Sequence, residues 1–197
     1  MRLTVARLMG SGWGMDEDMT RWVALLRGVN VGGVKVAMAD LRAAAEGLGW
    51  RDAQTYIASG QMVFRAAGED DALAGDLRTA LKDRAGVDTP VMVLPKVDLD
   101  AALADCPFEP EEGSHVHVFF LWDAPEVDID AYHRWKADDE ELKVDGRRAW
   151  LHAPSGIGRS KLAERLDKVL KGTDMTARNL NTVRRLAEML DAMDAEG

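Results

Sequence analysis

The chain reads as a mixed α+β protein in which one β-α-β-β-α-β unit, the ferredoxin-like split unit, occurs twice and is closed by a C-terminal helix. Short apolar runs alternate with stretches of helical periodicity, in the same order in both halves. With 197 residues, 47% hydrophobic and 30% charged, the chain can fill one large core or two small ones, which excludes a disordered or low-complexity class. The longest apolar runs, such as 116–122, span about 7 residues against the roughly 20 that a membrane helix needs.

In the first half, residues 22–26 form a buried-strand pattern. A glycine-bearing loop follows, and then a helix over 40–47 with Leu41, Ala44, Ala45 and Leu48 on one face. Gly47 and Gly49 stop it. Residues 54–57 and 62–65 make two short strands around Ala58-Ser59-Gly60-Gln61, which has the length and composition of a hairpin turn. A second helix starts at Asp70-Asp71, carries Leu73, Leu77, Ala80 and Leu81 at helical spacing, and ends at Gly86. Residues 90–94 complete the unit as a strand.

The second half repeats the order with a strand over 115–122, a helix over 128–136, strands over 142–145 and 149–152 around Gly146, and a helix over 161–171. Gly172-Thr173-Asp174-Met175 is expected to stop that helix and open a short strand, as Gly86-Val87-Asp88-Thr89 does in the first half. Val183, Leu186, Ala187, Leu190 and Met193 mark the closing helix. The expected organisation is therefore a first unit over 19–95, a connector over 96–113 containing a short helix, and a second unit over 114–197. Residues 1–18 carry two arginines but no sustained apolar core or small-residue cleavage site, so they read as a flexible extension rather than a signal peptide. One cysteine, Cys106, cannot form an internal disulfide and fits a reducing compartment, so the expected location is the cytoplasm.

The net charge of −9 argues against generic nucleic-acid binding, yet it is unevenly spread. Between Arg147 and Arg185 ten basic residues face three acidic ones, a local +7 that leaves −16 for the remainder. A basic segment on an acidic body can attract a phosphate-bearing ligand, dock on an acidic surface, or consist of solvated helix faces whose charges pair locally.

Four motifs stand out: RGVNVGG at 27–33, TYIASGQMVF at 55–64, GIGRSKL at 156–162 and TARNLNTVRRL at 176–186. Together, over about 19–190, they resemble the bacterial family catalogued as domain of unknown function 1697. The resemblance implies a duplicated α+β fold and no particular activity. Gln61 stands where the family usually has asparagine, and Leu180 where an aromatic is common.

Read chemically, Arg27, Asn30, Gly32 and Gly33 form a loop whose backbone N–H groups can approach an anion, although the spacing matches neither known phosphate cradle. The plainer reading is a tight connection in which the glycines adopt positive φ and Asn30 bonds its own backbone. Arg159 and Lys161 flank Ser160 at a helix start, a second anion candidate or an ordinary serine cap. Arg178, Asn179 and Asn181 converge on it if the terminal strand lies beside that helix; alternatively Asn181 or Thr182 caps the last helix. Ser59 invites a nucleophile reading but lacks the G-x-S-x-G elbow, so a turn is favoured. His115 and His117 share a strand face without a third ligand at usual metal spacing, so no metal and no cofactor are expected. Tyr56, Phe64 and the scattered tryptophans read as packing residues, because the RNA-stacking pattern of basic, glycine and aromatic residues is absent.

The leading expectation is a binding module for a phosphate-bearing ligand, a nucleotide or a nucleic acid, at the glycine loop and the Arg159-Ser160-Lys161 turn. The alternatives are an enzyme of unassigned class with Arg27, Asn30, Ser59 and Asn181 lining a cleft between the units, and a protein-interaction module whose sheets pair edge to edge, with self-association among its outcomes.

Overall fold

Strand β1 (Thr20–Leu26) is buried over its last five residues because it has a neighbouring strand on each side and covered faces above and below. The computed structural model describes residues 19–30 and 34–193, so the extension expected over 1–18 lies outside the described residues. After β1 come α1 (Met38–Gly47), β2 (Arg51–Thr55), β3 (Gln61–Ala66), α2 (Asp70–Ala85) and β4 (Val91–Pro95). Helix α3 (Lys96–Ala104) and a short 3₁₀ turn (Gly113–His115) lead to β5 (Val116–Leu121), β6 (Glu126–Val127), α4 (Ile129–Trp135), β7 (Glu141–Asp145) and β8 (Arg148–His152), after which a second 3₁₀ turn spans Ile157–Arg159. The chain ends with α5 (Lys161–Glu164), α6 (Leu166–Val169), β9 (Leu170–Lys171), β10 (Met175–Asn179) and α7 (Leu180–Ala192).

The result is a mixed α+β protein with antiparallel sheets, as the alternating pattern predicts. One four-stranded sheet has the order β2-β3-β1-β4, a second has β10-β5-β8-β7, and β6 pairs with β9 in a small ribbon. Strand alternation sends successive side chains to opposite faces. From β1, Trp22, Ala24 and Leu26 pack under α1 and α2 with Phe64, Leu77 and Leu81, where the Trp50 and Phe64 rings stack 4.0 Å apart. Val23 and Leu25 point the other way, into a core shared with Val118, Phe120 and Trp150 of the second sheet and with apolar residues of α3 and α7. The far face of the second sheet, with Phe119, Leu121 and Leu151, is covered by Leu162, Leu166 and Val169.

Helices α3 and α7 thus fill the space between the two sheets. Trp150 donates to the carbonyl of Ala102 in α3 at 2.9 Å. At the C-terminal end of α7, Arg21 and Arg65, cross-strand partners in the first sheet, donate to the carbonyls of Leu190 and Met193. Cations at the negative end of a helix dipole satisfy carbonyls that have no partner within the helix.

Three local expectations change. The helix expected over 161–171 divides at Arg165, whose φ of −110° leaves the helical region. The chain turns there because the Val169 carbonyl accepts from the Asp128 N–H at 2.8 Å and residues 170–171 pair with β6. Leu162, Leu166 and Val169 face the sheet along either path, so their spacing alone cannot distinguish a broken helix from a continuous one. Strand β2 starts earlier than expected and stops before Ile57, which has φ of +45°. The short strand expected at 172–175 is β10, which runs on to Asn179.

The turn between β2 and β3 depends on Gly60. Its φ is +72°, and a Cβ there would stand 2.1 Å from Val29 Cγ2 and 3.1 Å from Leu26 Cβ. Gly60→Ala is therefore expected to lower stability by more than about 2 kcal/mol in urea titration, whereas Gly75→Ala, on α2 in open space, should be neutral or stabilising.

Candidate functional site

Arg178 lies on β10 opposite Val118, so its side chain shares the face that looks toward the first sheet. It is 8% exposed. Its guanidinium donates to the backbone carbonyls of Leu26, Ser59 and Gly60 at 3.0 to 3.1 Å and to Gln61 Oε1 at 3.0 Å, all in the first half of the chain. It also donates to Thr176 Oγ1 and to the Ala177 carbonyl. The Gln61 amide donates in turn to the Tyr56 carbonyl and to Ser59 Oγ. A planar guanidinium can serve this many oxygens at once where an ammonium cannot. Burial pulls its pKa down to about 10, and it remains charged at neutral pH.

Beside this bridge, Asn30 adopts φ of +57° and clamps two loops together. Its side-chain amide donates to the carbonyls of Val36 and Ala58, and its Oδ1 accepts from the Val36 N–H at 3.1 Å. Arg27 pairs with Asp174 at 2.8 Å across the junction of the two halves. Gly32 and Gly33 lie outside the described residues. Arg27, Asn30, Ser59 and Arg178 are therefore gathered in one region, but their polar groups are engaged with protein atoms.

The GIGRSKL turn is elsewhere. Ser160 caps the four-residue α5 by accepting from the Ala163 N–H at 2.9 Å, between the exposed Arg159 and Lys161. Leu162, on that helix, packs on the outer face of the second sheet, whereas Arg178 is on the inner face. The sheet itself thus separates the two groups that the sequence reading allowed to converge. Asn179, not Asn181 or Thr182, caps α7 by accepting from the Thr182 N–H at 2.9 Å. Asn181 faces the 3₁₀ turn, where a Cβ on Gly113 would lie 2.1 Å from its Oδ1.

Much of the basic segment is neutralised internally. Arg148 pairs with Asp105, Arg165 with Glu164, Lys168 with Asp167, Lys171 with Asp128, and Arg185 with Glu188. The Lys171–Asp128 pair lowers the pKa of the carboxyl and raises that of the ammonium, chiefly through their hydrogen bond.

A concave feature of the described surface is a cleft of about 550 Å³. One wall is β4, the terminal strand of its sheet, flanked by the start of α2 on one side and by α3 on the other. The opposite wall is the end of β5, with Phe120 and Trp122, together with the β7–β8 turn that carries Arg147 and Arg148. Asp70, Asp71, Asp98, Asp123 and Asp145 also line it. Arg148 is held by Asp105 at 2.8 Å and Asp145 at 3.7 Å, while Asp70, Asp71, Asp98 and Asp123 have no cationic partner among the described residues. The Arg178 bridge lies next to the cleft, since Leu26 pairs with Val91 and Thr176 with Phe120. None of these aspartates is a candidate from sequence; the signal available there was only the Asp70-Asp71 helix start and the apolar run before Asp123.

The two histidines do not share a strand. His115 ends the 3₁₀ turn and His117 is in β5, and no group of His, Cys, Asp or Glu among the described residues has the geometry to hold a metal ion. His117 Nδ1 is buried with no hydrogen-bond partner among the described residues, and burial lowers the imidazole pKa from 6.5 to about 4. Phe64 is stacked beneath α1 and α2, and each four-stranded sheet is covered on both faces, so neither offers the open aromatic platform used to stack RNA bases. No imidazole or carboxylate bonds Ser59 Oγ among the described residues.

A family model described as "Protein of unknown function (DUF1697)" matches residues 19–150. No curated protein matches the chain. Among solved structures, the conserved bacterial protein SP0830 from Streptococcus pneumoniae is similar at 27% identity and a TM-score of 0.63, covering 87% of this chain and 99% of that one.

Arg178→Met leaves buried carbonyls and Gln61 Oε1 without their donor, so it is expected to lower stability by roughly 3 kcal/mol in urea titration. Arg178→Lys should recover only part of this, because one ammonium cannot span the fork. For His117 the folded-state pKa lies below the unfolded value. Its unfolded form therefore takes up a proton first as pH falls, and stability drops between about 6.5 and about 4. In His117→Leu this part of the acid limb should flatten in pH-dependent melting curves.

Proposed function

The chain belongs to the DUF1697 family, and from that premise we propose that it is a binding module whose ligand sits in the cleft between the two sheets, with a protein segment as the class of ligand. One observation carries the reading: four aspartates that have no cationic partner among the described residues border a cleft of about 550 Å³ with apolar walls and a strand edge that no described strand pairs. Volume and mixed lining suit a ligand site. The surplus of carboxylates repels phosphate and favours a neutral or cationic guest.

The phosphate-bearing ligand, nucleotide or nucleic acid, is the second reading. It is favoured by Arg159 and Lys161, which are exposed and have no internal ion pair among the described residues. The short α5 adds little dipole to that site. An enzyme with Arg27, Asn30, Ser59 and Asn181 in its centre has less support, because Arg27, Asn30 and Ser59 hold the loops of the first half in place.

We read the fold as a duplication of the ferredoxin-like split unit, over 19–95 and 114–197 with 96–113 between them. The support is that each four-stranded sheet runs, from one edge, through its second, third, first and fourth strands in the order of its own unit. The cytoplasmic location rests on the lone Cys106, alongside the fact that no described helix is long and apolar enough to cross a membrane.

The test is selection from a displayed library of random peptides against the full chain, with Ala101→Trp as the blocked control, since Ala101 lines the cleft from α3. Peptides that bind the wild type and lose at least about tenfold in affinity to Ala101→Trp, at unchanged melting temperature, are expected. A library yielding only peptides indifferent to the block would overturn the protein-segment reading. A melting-temperature rise with ATP or a short oligonucleotide that Arg159→Ala/Lys161→Ala abolishes would transfer the assignment to phosphate.

A further inference from the structure

We infer that the cleft accepts an extended segment rich in lysine or arginine from a partner protein, which adds to the first sheet as a fifth strand along the free edge of β4. This rests on the proposed protein-segment reading and specifies its conformation and charge.

Strand β4 pairs with β1 on one side only, in a register that runs from Trp22 opposite Pro95 to Leu26 opposite Val91. Its other edge has no strand beside it among the described residues, and its residues Val91, Met92, Val93 and Leu94 line the cleft. An unpaired edge of N–H and C=O groups is a template for a further strand. Pro90 precedes β4 and Pro95 ends it, and proline has no N–H to offer. The usable edge is thus about four residues, which suits a short and reversible docked segment rather than a continuous intermolecular sheet.

The groove also sets what such a strand carries. Asp70 and Asp71 at the start of α2 lie on one side of the edge, and Asp98 on α3 lies on the other. Side chains of an added strand alternate between those two sides, so both of its faces meet carboxylates without a cationic partner. The opposite wall, with Phe120 and Trp122, gives apolar stems something to cover, as the long aliphatic chains of lysine and arginine do; of its two arginines Arg148 is held by Asp105 and Asp145, and the four aspartates without a cationic partner among the described residues outnumber Arg147. A glutamate-bearing strand would meet like charge on both sides.

The probes are the capped peptides Lys-Val-Lys-Val-Lys-Val-Lys and Glu-Val-Glu-Val-Glu-Val-Glu, titrated into the full chain by calorimetry and followed by amide hydrogen exchange. The lysine peptide is expected to bind, to weaken as salt is added, and to slow exchange within 91–94. Asp70→Asn/Asp71→Asn/Asp98→Asn, which changes no packing volume, should weaken it at least about tenfold. The glutamate peptide should not bind. Lysine-peptide binding without protection in 91–94, or equal binding by both peptides, would overturn the inference. If no basic strand binds but library peptides still compete for the cleft blocked by Ala101→Trp, the inference fails while the protein-segment reading stands. If the block matters for no peptide, both fail.

Discussion

The Arg178 guanidinium is the most heavily bonded polar group at the junction between the two halves. Arg178 enters from the tenth strand and ends among carbonyl oxygens at the end of the first strand and in the turn before the third, partners separated from it by 117 to 152 residues in sequence. Burying a cation without a carboxylate is costly unless its donors are satisfied, and here they find oxygens whose own alternative is to be buried unpaired. The relation is mutual: the turn at Gly60 needs donors, and Arg178 needs acceptors. Neighbouring features follow from it. Gln61 is buried because its side-chain oxygen serves Arg178 while its amide holds Tyr56 and Ser59, and Asn30 completes the arrangement by tying its own loop to Ala58.

This bridge also changes the meaning of the basic segment. A count of +7 between Arg147 and Arg185 looks like a surface that attracts anions, but Arg178 within it faces inward and several others are paired with aspartate or glutamate. Ion pairs this exposed contribute little to stability, yet they cancel the field that long-range attraction would need. In the cleft the balance is negative: Asp70, Asp71, Asp98 and Asp123 have no cationic partner among the described residues, against one unpaired cation, Arg147.

Most of the fold is legible in the sequence because its signals are local. Leu73, Leu77 and Leu81 bury as the helical spacing implies, and Gly86, at φ of +68°, ends α2 where a left-handed residue is required. The errors occur where a distant partner decides. The break at Arg165 depends on Asp128, and Ile57 leaves the strand to follow a turn held from the other half of the molecule. The site was less legible for the same reason. Arg178, Asn30 and Ser59 were visible as unusual residues, but whether such a side chain faces ligand or protein depends on what lies across the junction. Apart from the adjacent Asp70 and Asp71, which read as a helix start, the aspartates of the cleft are far apart in sequence and carry no mutual spacing that would draw attention to them.

The placement of α7 has a consequence for synthesis. The inner face of the first sheet, with Val23, Leu25, Val63, Met92 and Leu94, is covered by a helix that occupies the last part of the described chain. While a ribosome is still translating the second half, that face has only α3 to shield it. An emerging apolar sheet of this kind attracts chaperones and risks misassociation until α7 has been made and docked. The contacts from Arg21 to Leu190, 169 residues apart, form only after that point, so the final step of maturation joins the two ends of the fold rather than one half at a time.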